Sequence, residues 1–76
     1  MVLAEIAAEV KRAVKKHKVF NSAHEGFAVL LEEVDELKAE VWRNSATRDW
    51  NAMHKEAIQV AAMAVRFAAE LSLGKL

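Results

Sequence analysis

The chain contains no proline, and helix-stopping residues gather at only two places, VFNSAHEG (Val19 to Gly26) and RNSATRD (Arg43 to Asp49). With two glycines in 76 residues and a composition rich in Ala, Leu, Val, Glu and Lys, little can interrupt regular structure. The two breaks leave three segments, from about Leu3 to Lys18, from Ser22 to about Arg43, and from about Trp50 to Leu73. Each carries apolar residues at three-four spacing. The expected fold is all-α: one domain over 1–76, a three-helix chain forming a helical bundle.

Cap chemistry supports these boundaries. Ser22 followed by Glu25 has capping-box spacing, Asp49 suits an N-cap for the third helix, and Gly74 suits a C-terminal stop. Gly26 sits near the start of the second helix, where glycine costs about 1 kcal/mol relative to alanine. That points to a close approach of something to the backbone.

A chain this short buries only roughly 60–65% of its unfolded surface. Such domains are reinforced by disulfides, a metal or oligomerisation. There is no cysteine, which excludes disulfides and thiolate metal sites. The third segment sharpens the expectation of oligomerisation. In this segment, whose bulk is EAIQVAAMAVRFAAEL (Glu56 to Leu71), Met53, Ala57, Ala61, Ala64, Val65 and Ala68 share one face, Val60, Met63 and Phe67 extend it, and only Lys55, Glu56, Gln59, Arg66 and Glu70 form a polar arc. A helix so apolar is normally buried on several sides. Three helices cannot easily enclose it, so the bundle is expected to be completed by a second copy, a homodimer or a dimer of dimers.

Formal net charge is zero, which argues against binding of polymeric nucleic acid by bulk electrostatics. No apolar run approaches the ~20 residues that span a bilayer, and no secretory signal is evident. A cytoplasmic protein without membrane partners is expected. Charge is nonetheless segregated: KRAVKKHK (Lys11 to Lys18) is basic, whereas Glu25 to Glu40 is acidic. Cations at a helix C-terminus complement the macrodipole, which accounts for the basic run; facing a phosphate or a membrane is the alternative.

The acidic segment, LLEEVDELKAEVW (Leu30 to Trp42), carries more information. Leu30, Leu31, Val34, Leu37 and Val41 form a buried-helix stripe, while Glu33, Glu36 and Glu40 share another stripe and Glu32 lies one turn from Glu36. Like charges so spaced repel unless something positive intervenes. Glu56 sits at the margin of the apolar face of the third helix and would meet the acids if the two helices pack antiparallel. Either these acids are a solvated face, or they hold a cation. Carboxylates alone suit hard ions such as Mg²⁺ or Mn²⁺. The Glu-x-x-His pairs of di-iron bundles are missing, and His17, His24 and His54 are scattered, without the spacing of a zinc site.

EEVDE (Glu32, Glu33, Glu36), followed after a loop by Glu56, resembles the EExxE…ExxD signature of the MazG-like all-α nucleoside triphosphate pyrophosphohydrolases. The flanking HEGFAVLLEEVDEL and EAIQVAAMAVR are similar to small phage- and cassette-borne members. The resemblance covers His24 to Leu71. It implies a helical dimer or tetramer that uses Mg²⁺ to cleave a nucleoside triphosphate to monophosphate and pyrophosphate, a nucleotide-pool housecleaning activity. It implies Glu32, Glu33, Glu36, Glu56 and the residue at 59 as metal ligands, with Glu33 and Glu36 in catalytic roles. Where the family has Asp, this chain has Gln59, which can coordinate through its carbonyl oxygen but brings no charge. The alternative is a non-catalytic dimeric module of the same kind, its site weakened by Gln59, binding a nucleotide or a protein partner.

Substrate contacts are expected among Arg66, Lys55, Arg48 and Trp50. Trp42 and Trp50 flank the second break and could stack on a base or pack between helices. Arg43, Arg48, Lys38 and Lys55 could meet phosphates or form weak surface ion pairs. Arg66, on the polar arc near Gln59, could pair with Glu70 or with an acid across the bundle. His24 is expected to be structural, and Met53 and Met63 to be core filler.

Overall fold

The computed structural model describes residues 1–43 and 45–72, Ser72 by its backbone alone. Helix α1 runs over Val2–Lys16, α2 over Ala23–Val41 and α3 over Trp50–Phe67. A π-helical extension, Ala68–Ser72, continues α3. There is no strand among the described residues, as the all-α expectation requires. α1 stops two residues earlier than expected because His17 turns to extended backbone, φ −122° and ψ 150°. α2 closes at Val41, where the Trp42 N–H caps the carbonyls of Lys38 and Glu40. The expected stop at Gly74 lies outside the described residues.

The expected caps form. Ser22 Oγ accepts from the Glu25 N–H at 3.1 Å. The Glu25 carboxylate reaches one residue further back than in a standard capping box, accepting from the Asn21 N–H at 2.8 Å and from Asn21 Nδ2 at 3.1 Å. Asp49 Oδ1 accepts from the N–H groups of Asn51 and Ala52 at 2.9 and 3.2 Å.

α3 is the helix against which both others pack. Glu5 meets His54, Glu9 meets Gln59 and Lys18 meets Arg66, so α1 and α3 run parallel. Gly26 lies against Phe67 and Leu71 while Glu33 and Glu36 approach Glu56, so α2 is antiparallel to α3. Ala13, Ala62 and Met63 form the core, flanked by Val10, Val29 and Leu30. A Cβ on Gly26 would lie 2.7 Å from Leu71 Cδ1 and 2.9 Å from Phe67 Cδ2. This is the close approach that its position in the sequence implied.

The orientation of α3 inverts the simplest amphipathic reading. All of the polar arc but Lys55 turns inward: Arg66 is 2% exposed and Glu70 9%, and Glu56 and Gln59 are half-buried. Ala57, Ala64, Val65 and Ala68, four of the six residues of the apolar face, are exposed within one chain. The Arg66–Glu70 end of the arc can turn inward because its charges are matched there. Arg66 Nε donates to Glu70 Oε2 at 2.8 Å, Arg66 Nη2 donates to the Lys18 carbonyl at 3.1 Å, and the Phe20 N–H donates to Glu70 Oε1 at 2.8 Å. The guanidinium also lies 4.4 Å from the centroid of the Phe20 ring, a desolvated cation–π contact. This network ties the turn between α1 and α2 to the end of α3.

Other apolar side chains are likewise uncovered. Phe27, Leu31 and Val34 of α2 are exposed, although Leu31 and Val34 belong to the stripe expected to be buried. No helix among the described residues is long and apolar enough to cross a membrane.

Candidate functional site

Two turns of α2 and one of α3 bring three acids to a point. Carboxylate oxygens of Glu33, Glu36 and Glu56 lie within 4.8 Å of one another. The spacing of Glu33 and Glu36 puts both on the side of α2 that meets α3, and the antiparallel packing supplies Glu56. Glu33 and Glu56 are half-buried and Glu36 is exposed, so the cluster has a protein-facing base and an open side.

The electrostatics of the cluster are unfavourable as it stands. Burial, followed by the negative charge of Glu36 and then of Glu56 and Glu32, pushes the Glu33 carboxyl up to about 7. Glu56 is raised as well, by burial and then by its contact with Glu36, against a partial offset from Lys55. Glu56 Oε2 is shut off from solvent and has no hydrogen-bond partner. Three carboxylates this close, one of them carrying an unpartnered oxygen, form a donor set that suits a hard dication, whose charge would reverse each of these penalties. The residues present therefore fit Mg²⁺ or Mn²⁺.

The other expected site residues divide. Glu32 is exposed and acts on Glu33 through its charge, outside the three-acid group. Gln59 approaches Glu9 of α1, helping to hold its carboxyl below the usual range, and adjoins Glu33 along a shared cleft. Arg66 is committed to Glu70, Lys18 and Phe20, which makes it a structural clamp whose guanidinium is already neutralised. Lys55 is exposed beside Glu56 and Glu9. Arg48 Nη2 donates to the Val41 carbonyl at 2.9 Å, fastening the α2–α3 connection, and lies 5.9 Å from the Trp50 ring. Trp42 and Trp50 are 74% and 72% exposed, so packing between helices is not their role within one chain.

Between α1 and α2, floored by α3, runs a cleft of about 340 Å³. Glu33 and Gln59 are at one end, Ala13, Val29 and Met63 on its floor and sides, and His17 and Lys18 toward the other. Its α1 wall carries Glu9 and Arg12, joined to each other by an ion pair. Glu9 had no place in the sequence-based site, yet its spacing was visible: three residues after Ile6 and four before Ala13, it belongs to the inward stripe of α1.

Comparison with family models, curated proteins and solved structures returned no match.

Proposed function

We propose that this chain is a Mg²⁺-dependent nucleoside triphosphate pyrophosphohydrolase, releasing a nucleoside monophosphate and pyrophosphate. The observation that carries the reading is the convergence of Glu33, Glu36 and Glu56, with Glu56 Oε2 buried and unpartnered. The resemblance of EEVDE and the downstream Glu56 segment to the MazG-like signature supplies the reaction class. Glu33, Glu36 and Glu56 would hold the cation, which would supply charge neutralisation at the phosphates and an acidified water. Glu33, the member of the cluster that also lines the adjoining cleft, is the carboxylate placed to accept a proton from the attacking water. Glu32 adds negative potential at the cluster, and Gln59, beside Glu9, fixes the adjoining wall of the cleft.

A homodimer completes this proposal. The chain exposes 5516 Å², roughly 800 Å² more than a folded monomer of its mass is expected to expose. Its radius of gyration is 13.3 Å, against about 11 Å for a compact chain of this length. An excess of that size is comparable to one partner's share of a standard interface, about 800 Å². The open alanine face of α3 and Phe27, Leu31 and Val34 of α2 are the surfaces a second copy would cover.

A second reading, a nucleotide- or protein-binding module without turnover, is favoured by one observation. Gln59 is engaged by Glu9, so the cluster has three carboxylates and position 59 adds no charge. The two readings separate in a turnover assay over ribo- and deoxyribonucleoside triphosphates that resolves pyrophosphate from orthophosphate. The enzyme reading expects metal-dependent pyrophosphate release that Glu36→Ala abolishes. A folded protein silent across the panel would favour the module.

A further inference from the structure

The cleft beside the acid cluster has a chemical polarity that the proposed metal centre does not explain. Glu33 is at one end, and along the cleft stand Arg12, His17 and Lys18, three members of the basic run of α1 and its exit. Complementing the helix macrodipole accounts for Lys15 and Lys16, which are in the last turn of α1. It accounts less well for Arg12, a turn earlier, or for Lys18, beyond the helix end.

The acids in the cleft wall are occupied by other partners. Glu9 is paired with Arg12 through both of its oxygens, and Glu25 accepts from both nitrogens of Asn21. Arg66 at the far end is neutralised by Glu70. Arg12 uses Nε and Nη2 on Glu9, leaving Nη1 outside that pairing. Neither His17 nor Lys18 is in an ion pair among the described residues. The cleft thus presents uncommitted donors above a floor made partly of Ala13, Val29 and Met63. Gln59 and Arg66, the floor residues of the two ends, are seven residues apart on α3, roughly 10 Å of helix.

We infer that this cleft seats the phosphate tail of the substrate, with one end of the tail at Glu33, its middle beside Arg12 on the α1 wall, and its other end held by His17 and Lys18. The inference rests on the proposed metal centre for its orientation. It adds that the chain selects its substrate by phosphate number. A polyphosphate can reach from the acid end to the cations, and a single phosphate cannot.

The test is a ¹H–¹⁵N titration of the full chain with inorganic tripolyphosphate and with orthophosphate, in chelator and in Mg²⁺. Shifts on Arg12, Ala13, His17, Lys18 and Val29, with tripolyphosphate at least tenfold tighter than orthophosphate, are expected. His17→Gln/Lys18→Gln, both at exposed positions, should weaken tripolyphosphate at least tenfold while the Mg²⁺-induced shifts at Glu33, Glu36 and Glu56 persist. Equal binding by this variant, or shifts clustered elsewhere, overturns the inference. Loss of the Mg²⁺ shifts in the wild type would instead remove the metal reading. The chelator arm then decides the cleft alone: tripolyphosphate shifts on the same residues uphold it, and their absence overturns it.

Discussion

Arg66 and Glu70, one turn apart where α3 passes into its π-helical extension, are both buried and are joined from Nε to Oε2 at 2.8 Å. The pair is a junction rather than a surface ornament. Through the Lys18 carbonyl and the Phe20 N–H it holds the α1–α2 turn against the end of the third helix. Removing one partner strands the other. Arg66→Ala should therefore cost about 3–5 kcal/mol, read as a lower denaturant midpoint. Glu70→Gln, which can still accept from Phe20, should cost less. Equal, small losses for both would show that the pair contributes little.

Gly26 is a packing requirement. Gly26→Ala gains about 1 kcal/mol of helix propensity, but its Cβ meets the Phe67 ring and Leu71, and overpacking costs about 1–3 kcal/mol. Leu71 Cδ1 is the end of a flexible side chain; the Phe67 ring is the less accommodating contact. A net loss of about 1 kcal/mol is expected by chemical denaturation, and Gly26→Val should lose more. A stabilised Ala variant would mean that Phe67 yields freely.

Proton and cation compete at Glu33. Its carboxyl is raised from the ordinary 4.5 to about 7, first by burial and then by Glu36. Without metal, the folded state holds an extra proton between those values. The stability this group contributes is complete below the unfolded pKa and is lost as pH rises toward 7. Metal binding needs the ionised form, so Mn²⁺ affinity should fall about tenfold for each pH unit below 7 through this one proton. It should level off above 7. Isothermal titration across that range reads the slope; a flat profile would exclude Glu33 as a ligand.

Gln59 faces Glu9, which changes what its replacement should do. Gln59→Asp alone puts a second carboxylate beside Glu9 and removes the amide donor, so it should lower the melting temperature and improve metal affinity little. Combined with Glu9→Gln, the new Asp regains a donor. That double variant should bind Mn²⁺ more tightly than the wild type. A gain from Gln59→Asp alone would show that Glu9 does not control the position.

The unpartnered faces should be covered in solution. Sedimentation equilibrium is expected to return a dimer or a multiple of it. Ala64→Glu, at an exposed position on the alanine face, should dissociate the assembly. A wild-type monomer at working concentration would remove the two-copy bundle.

Much of the fold was legible because caps and breaks are local: Ser22, Asp49 and the absence of proline set the starts of the three helices to within about one residue and the ends of the first two to within about two. The orientation of α3 was not legible. Periodicity reports which residues share a face, and it cannot say that Arg66 and Glu70 find buried partners on Lys18 and Phe20, far away in sequence. The acids were legible in part. Glu33 and Glu36 follow from helical spacing, and Glu56 from antiparallel packing, but Glu9 and the cleft lining depend on α1 running beside α3. That contact is made along the whole of α1, by Glu5 with His54, by Ala13 in the core and by the Lys18 carbonyl with Arg66.

The central claim is that Glu33, Glu36 and Glu56 hold one hard cation, and direct Mn²⁺ binding to the purified chain tests it most simply. Above pH 7 the account expects one saturable ion for each Glu33/Glu36/Glu56 cluster, displaced by Mg²⁺, weakened at least tenfold by Glu56→Gln and left intact by Asp35→Asn on the same acidic helix. Binding that is absent, or that Asp35→Asn and Glu56→Gln reduce alike, would contradict it and leave the three acids a charged surface.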